Sequence, residues 1–458
     1  MRTFWALMHR WAGLSIAAFI FFSGVTGAVI SWDHELDDLI NPELMHARTE
    51  GPAMPALDLV RLIEQRNPEI RVTYFKVADE PGESFSIFAM PRVDPATGRL
   101  HEPGFNQVFV DPVTGKELGK RQWGAVWPIT KENFVSFLYR LHYTMHIPEL
   151  WGIDRWGMWL LGGVALLWTF DCFVGFYLTL PARRRATGPA SSASDRPTGR
   201  LRGWWPRWAP AWKIRWKAGT ARLTFDLHRA FSLWTWILLF TVAFTGFSLN
   251  LYREVFFPLM SKVSTVTPTP FDLRTPNPRH QPIEPAIDWH RVIRIARDEG
   301  GRRGWEPLGD VIYADRFAIY QARYYRAGDG HGAGGVGPTT LFIDGMNGQI
   351  LGERLPWHGT VADIFVQAQF PLHSGRILGL PGRILISIMG IVAAMLSVTG
   401  VLIWWRRRRA RLLVQPVARV ATGTDTIERD SSPCDGSRPT LTLRSIPVRH
   451  LDRRLPRM

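Results

Sequence analysis

Four apolar runs limit what this chain can fold into. Trp11–Trp32, Ala230–Tyr252 and Ile384–Trp405 hold no charged residue, and Gly157–Pro181 holds only Asp171. A helix needs about 20 such residues to cross a hydrocarbon core of about 30 Å, and each run is long enough. One run alone could be a buried helix of a large soluble enzyme. Four of them, flanked by Trp and Arg, read as transmembrane helices. The 46% hydrophobic content excludes a disordered chain, and two cysteines, Cys172 and Cys434, exclude a disulfide scaffold.

The formal net charge of +15 suits either a nucleic-acid binder or a membrane protein, so its distribution decides. With a cytoplasmic N-terminus, residues 1–11, 183–230 and 406–458 lie inside and carry 27 Lys and Arg against 7 Asp and Glu; the remainder carries 28 against 33. The surplus sits inside, with Arg183–Arg185 and Arg406–Arg409 placed as stop-transfer signals. No nucleic-acid partner is expected. The first helix has no Ala-x-Ala cleavage site and reads as an uncleaved anchor. Multi-pass topology with both termini cytoplasmic is the expectation.

The two halves repeat. Met8-His9-Arg10 matches Leu227-His228-Arg229, and Thr26-Gly27 matches Thr245-Gly246 in the same offset of 219. Phe109–Arg121 aligns with Phe342–Arg354 at six identities in 13 positions. The predicted order is the N-terminus and first helix (1–32), an external α+β module (33–155), the second helix (156–181), a cytoplasmic basic Trp-rich loop (182–229), the third helix (230–252), a second external module (253–382), the fourth helix (383–405) and a disordered basic tail (406–458). In the first module Ala56–Arg66 has helical spacing, and Val72–Val77, Ser84–Met90 and Phe105–Val110 read as strands. The second repeats this with Ala286–Arg297, Asp310–Tyr313, Phe317–Tyr324 and Thr340–Asp344. Trp204–Lys217 interleaves Trp with Lys and Arg, and is expected to lie on anionic membrane lipid.

Histidine carries the candidate chemistry. His9 and His228 fall near cytoplasmic helix ends; His142, His146 and His373 fall near external ones. Bis-imidazole ligation of haem iron needs one His from each of two facing segments and leaves no open position, so such a centre passes single electrons. His9 with His228, and His142 or His146 with His373, could form two such centres. An interfacial His can equally be an amphipathic anchor, and a bare metal site at His142 and His146 lacks a third ligand. Asp171 lies inside hydrocarbon, where a carboxyl is a proton relay, a quinol contact, a partner of a haem ligand, or simply a protonated bond to a neighbouring helix. Arg10 and Arg229 follow candidate ligands and could meet propionates or act as positive-inside anchors.

The chain resembles the PepSY-associated transmembrane family of bacterial inner-membrane proteins. The residues that carry the resemblance are His9-Arg10-Trp11-Ala12-Gly13, Thr26-Gly27, Leu141-His142-Tyr143, Asp171–Pro181, Leu227-His228-Arg229, Leu372-His373-Ser374-Gly375, Thr399-Gly400 and Trp404-Trp405-Arg406. The resemblance implies an α-helical membrane protein with four transmembrane helices and two periplasmic PepSY-like modules. For its siderophore-reductase members it also implies two b-type haems that carry electrons to periplasmic ferric siderophore. The Leu-His match favours His142, whereas the His-x5-Gly spacing shared by His146 and His373 favours His146. No Gly-x-Gly-x-x-Gly joins a strand to a helix that it opens, so electrons are expected from quinol or from a cytoplasmic donor protein. The rivals are a non-enzymatic PepSY accessory or sensor and an uptake permease.

Overall fold

The computed structural model describes residues 1–78, 80–182 and 203–420. Arg183–Arg185, most of the central linker, Cys434 and the expected disorder of the tail beyond 420 lie outside the described residues. Residues 1–407 form one compact unit. Of the second unit, residues 408–458, the end of the last helix is described as far as Val420.

The first half runs α1 (Arg2–Ile30), α2 (Asp33–Ile40), α3 (Pro42–Met45), α4 (Ala56–Arg66), β1 (Ile70–Lys76), β2 (Phe85–Pro91), β3 (Gln107–Val110), β4 (Glu117–Arg121), α5 (Phe134–Thr144) and α6 (Trp156–Thr179). The second runs α7 (Trp205–Trp208), α8 (Thr220–Trp234), α9 (Trp236–Asn250), α10 (Phe257–Val263), α11 (Trp289–Arg303), β5 (Leu308–Ala314), β6 (Ile319–Tyr324), β7 (Thr339–Asp344), β8 (Ile350–Arg354), α12 (Val361–Ser374) and α13 (Gly379–Val420).

Three helical stretches, Arg2–Ile30, Trp156–Thr179 and Arg376–Leu413, are long and apolar enough to cross a membrane. The expected single helix over 230–252 is corrected by the structure: α8 and α9 meet at Thr235 with a bend of 73°. The composition accounts for the break. Arg222, Asp226 and Arg229 all lie on α8 and α9 carries no charge, so turning α8 off the α9 axis spares charged groups a costly place in hydrocarbon. The described residues therefore give three spans, or four if the bent pair is one.

The two modules are joined more closely than their separate boundaries suggest. All eight strands form one antiparallel sheet in the order β4-β3-β2-β1-β5-β6-β7-β8. The halves meet at β1 and β5, where Tyr74 pairs with Ile312, Phe75 with Val311 and Lys76 with Asp310. Pairing there removes the exposed edge that each four-stranded half would otherwise present. One face is covered by α4 and α11 through Leu59, Ile63, Val292 and Ala296, all buried with Phe75 and Tyr320. Trp289 of α11 bridges the halves, edge-on to Phe75 at 5.0 Å and to Tyr320 at 4.8 Å. The repeated turns match in detail. Asp111 accepts from the backbone N–H of Val113 and Thr114 at 3.0 Å, as Asp344 does from Met346 at 2.7 Å, and Gly115 and Gly348 follow at positive φ.

The sheet is tied to the helices by Arg121, paired with Asp37 at 2.7 Å. Helices α1 and α13 cross where Gly24 faces Gly390: a Cβ on Gly24 would lie 2.6 Å from the Gly390 carbonyl oxygen. Just above, Arg383 of α13 donates to the Ser31 carbonyl, pairs with Glu35 at 2.7 Å and covers the Trp32 ring at 4.5 Å.

Candidate functional site

The structure brings four histidines together in two pairs. At the end of the helices away from the sheet, His9 of α1 faces His228 of α8, with ring centroids 6.3 Å apart and planes at 58°. At the end nearer the sheet, His142 of α5 faces His373 of α12 at 6.1 Å and 54°. His9 and Thr26, which holds His142, are 17 residues apart on α1, so the pairs are separated by about 25 Å along the axis.

Each ring is anchored through Nδ1. His9 donates to both oxygens of Asp171 at 2.9 Å. His142 donates to the Ser23 carbonyl at 2.9 Å and lies 3.2 Å from Thr26 Oγ1. His228 donates to the Leu396 carbonyl at 3.1 Å, with Thr399 Oγ1 at 3.0 Å. His373 meets Thr245 Oγ1 at 2.9 Å. Carboxylates and carbonyls only accept, so the proton is on Nδ1 of His9, His142 and His228, and Nε2 carries a bare lone pair. None of the four Nε2 atoms has a hydrogen-bond partner among the described residues.

Beside three of the anchors stands a glycine, and the pairing is regular: Thr26-Gly27 with His142, Thr245-Gly246 with His373, Thr399-Gly400 with His228. A Cβ at these glycines would lie 2.8, 3.4 and 3.3 Å from Cε1 of its histidine. The fourth ring, His9, has Gly175 at 3.5 Å and Asp171 in place of threonine. The threonines and glycines are visible in the sequence as repeated dipeptides, but their contacts with particular histidines could not be read from it.

His146, the alternative to His142, is turned away. It sits at positive φ after α5, donates from Nε2 to the Phe137 carbonyl at 2.9 Å and stacks on the Phe137 ring at 4.6 Å. Arg10 and Arg229 each have a buried Nε without a partner, although Arg229 also donates to Asp226 and to the Pro210 carbonyl. A cavity of about 400 Å³ lies between His142 and His373, lined by Gly27, Gly246, Phe19, Leu239, Asp33 and Arg376. His34 stacks on His331, which lies in the glycine-rich stretch Gly328–Gly337, at 5.5 Å; burial, with Arg376 next, pushes the His331 imidazole down to about 4. Among the described residues no group of three or more His, Cys, Asp or Glu could hold a bare metal ion.

The family model of the PepSY-associated TM region matches residues 6–407. The chain belongs to this family. No individual curated protein matches it. Both imidazole pairs, Asp171 and the three Thr-Gly dipeptides of this PepSY-associated chain lie inside the matched region.

Proposed function

We propose that this PepSY-associated protein is a dihaem b-type electron carrier of the bacterial inner membrane that reduces ferric siderophore on the periplasmic side. The observation that carries the reading is the pair of facing imidazoles, found twice, with Nδ1 anchored and Nε2 bare. Iron bonded at about 2 Å to one nitrogen of each ring sets the ring centres about 6 Å apart, the separation found at both sites. Two imidazoles alone make a poor ion site, and a macrocycle supplying four further nitrogens suits that donor set. The cavity at His142 and His373 is within the usual range of ligand pockets, roughly 300–1,000 Å³. When bound between two imidazoles, haem would supply a one-electron iron couple.

The chain's own residues do the rest. His9 and His228 would hold one group and His142 and His373 the other, with every ring fixed in direction by its Nδ1 partner and His9, His142 and His228 fixed in tautomer as well. The orphaned Nε atoms of Arg10 and Arg229 suit propionate carboxylates. The positive-inside charge puts His9 and His228 toward the cytoplasm. One electron delivered outward converts chelated Fe(III) to Fe(II), which oxygen ligands hold less well. Electrons come from quinol or a separate donor, since the segments at 183–230 and 406–458 carry no dinucleotide motif.

The visible spectrum of the detergent-purified chain tests the reading. A low-spin bis-imidazole signal that falls by half in His9→Ala and again by half in His373→Ala is expected. A colourless, folded protein would return the chain to the accessory or sensor reading.

A further inference from the structure

Three of the four imidazole anchors are neutral: the Ser23 carbonyl for His142, the Leu396 carbonyl and Thr399 for His228, and Thr245 for His373. His9 alone donates to a carboxylate, with both oxygens of Asp171 at 2.9 Å and the Asp171 side chain 11% exposed. The repeat makes the exception plain. Gly175 and Gly400 each back an imidazole, and four residues before them stand Asp171 and Leu396. At that place α13 offers a main-chain carbonyl and α6 a charged side chain.

We propose that Asp171 is a positioning residue that sets the reduction potential of the centre between His9 and His228 below that of the centre between His142 and His373, and so gives electron transfer its direction. The inference rests on the dihaem reading. A carboxylate accepting the Nδ1 proton of an imidazole pushes charge into the ring and strengthens Nε2 as a donor, which favours the ferric over the ferrous state. A carbonyl or hydroxyl does so less, because it carries no net charge. A group held by His9 and His228 would then give its electron to the group held by His142 and His373. One electron moves, no bond breaks, and the proton stays on Nδ1 of His9. In the orientation given by the positive-inside charge, this direction is outward.

Potentiometric titration of the full chain in nanodiscs, followed in the visible spectrum, tests the assignment. Asp171→Asn keeps an acceptor for Nδ1 and removes the charge. At fixed potential it is expected to raise the reduced-to-oxidised ratio of the lower-potential centre about tenfold, about 59 mV for one electron, and to leave the other centre unchanged. The same shift in a His373→Ala background places it at His9. Where Asp171→Asn fails to load, Asp171→Thr, which copies the neutral partners of the other rings, is read in the same way, and Asp171→Glu is expected to keep the native potential. Equal potentials in the native protein, no shift in the variants, or an equal shift of both centres overturns the inference while leaving the dihaem reading intact. A native protein without haem overturns both.

Discussion

A methyl group added to Gly27 would sit 2.8 Å from Cε1 of His142, closer than real Cβ contacts come. The backbone of α1 is fixed by its helix, so the imidazole must move. Gly27→Ala is expected to cost about 1–3 kcal/mol of stability and, on the proposed dihaem reading, to remove the signal of the site it abuts, halving the absorbance per chain. Gly175→Ala, whose methyl would meet His9 at an ordinary 3.5 Å, should keep the full signal. Equal loss in both variants would show that the spacing does not matter.

His142 and His146 separate in the same assay. His142→Ala removes a ring that faces His373, and half of the absorbance should go with it. His146→Ala removes a ring stacked on Phe137 and should leave the spectrum native. The reverse outcome would place the ligand at His146.

Asp226 is fully buried and is the shared partner of Arg215 at 2.8 Å, Arg222 at 3.3 Å and Arg229 at 3.1 Å. Asp226→Ala leaves three guanidinium groups facing one another without a counter-charge. Breaking a buried pair costs about 3–5 kcal/mol, and the partial exposure of the arginines puts this case near the lower figure. A fall in the unfolding midpoint, followed by the fluorescence of nearby Trp208 and Trp212, measures it; an unchanged midpoint would contradict the hub.

The Glu35 carboxyl is held down to about 2 from an ordinary 4.5, first by its hydrogen bond to Arg383. Its folded value lies below its unfolded one, so its contribution is fully present above pH 4.5 and is lost as pH falls toward 2. The Glu35 side chain is 53% exposed, which limits the pair to under about 1 kcal/mol. The melting-temperature difference between native protein and Glu35→Gln should be small at pH 7 and smaller at pH 3. A difference that grows on acidification has the wrong sign.

Phe75 is fully buried on β1 yet touches Trp289 of the second half. Phe75→Ala is expected to cost about 3–5 kcal/mol. Hydrogen exchange should quicken in β2 and in β6 together, because the sheet is continuous. Acceleration confined to β1–β4 would mean that the modules are independent.

Local elements were legible where the pattern was local. Ala56–Arg66 is a helix over the residues its spacing indicates, and three strands per module fall within a few residues of their apolar runs. The fourth strands, Glu117–Arg121 and Ile350–Arg354, were missed because edge strands face solvent and carry charge. The bend at Thr235 was also hidden, since no Pro or Gly marks it and the apolar run continues across it. At the site, His9 and His228 could be paired from the repeat, and His373 from its position. The choice between His142 and His146 needed the backbone after α5, whose left-handed turn at Met145 and His146 carries the second ring away. The bond between Asp171 and His9 spans 162 residues, beyond the reach of any spacing rule.

The anchors and the facing pairs divide the chain differently. His9 and His142 are both held by residues of the first half, and His228 and His373 by residues of the second, yet each facing pair takes one ring from each half. Either half alone could anchor its own imidazoles but could complete neither facing pair, so neither site can form without both halves. Within the pair of His9 and His228, Asp171 opposite Leu396 is where the two halves hold their rings differently.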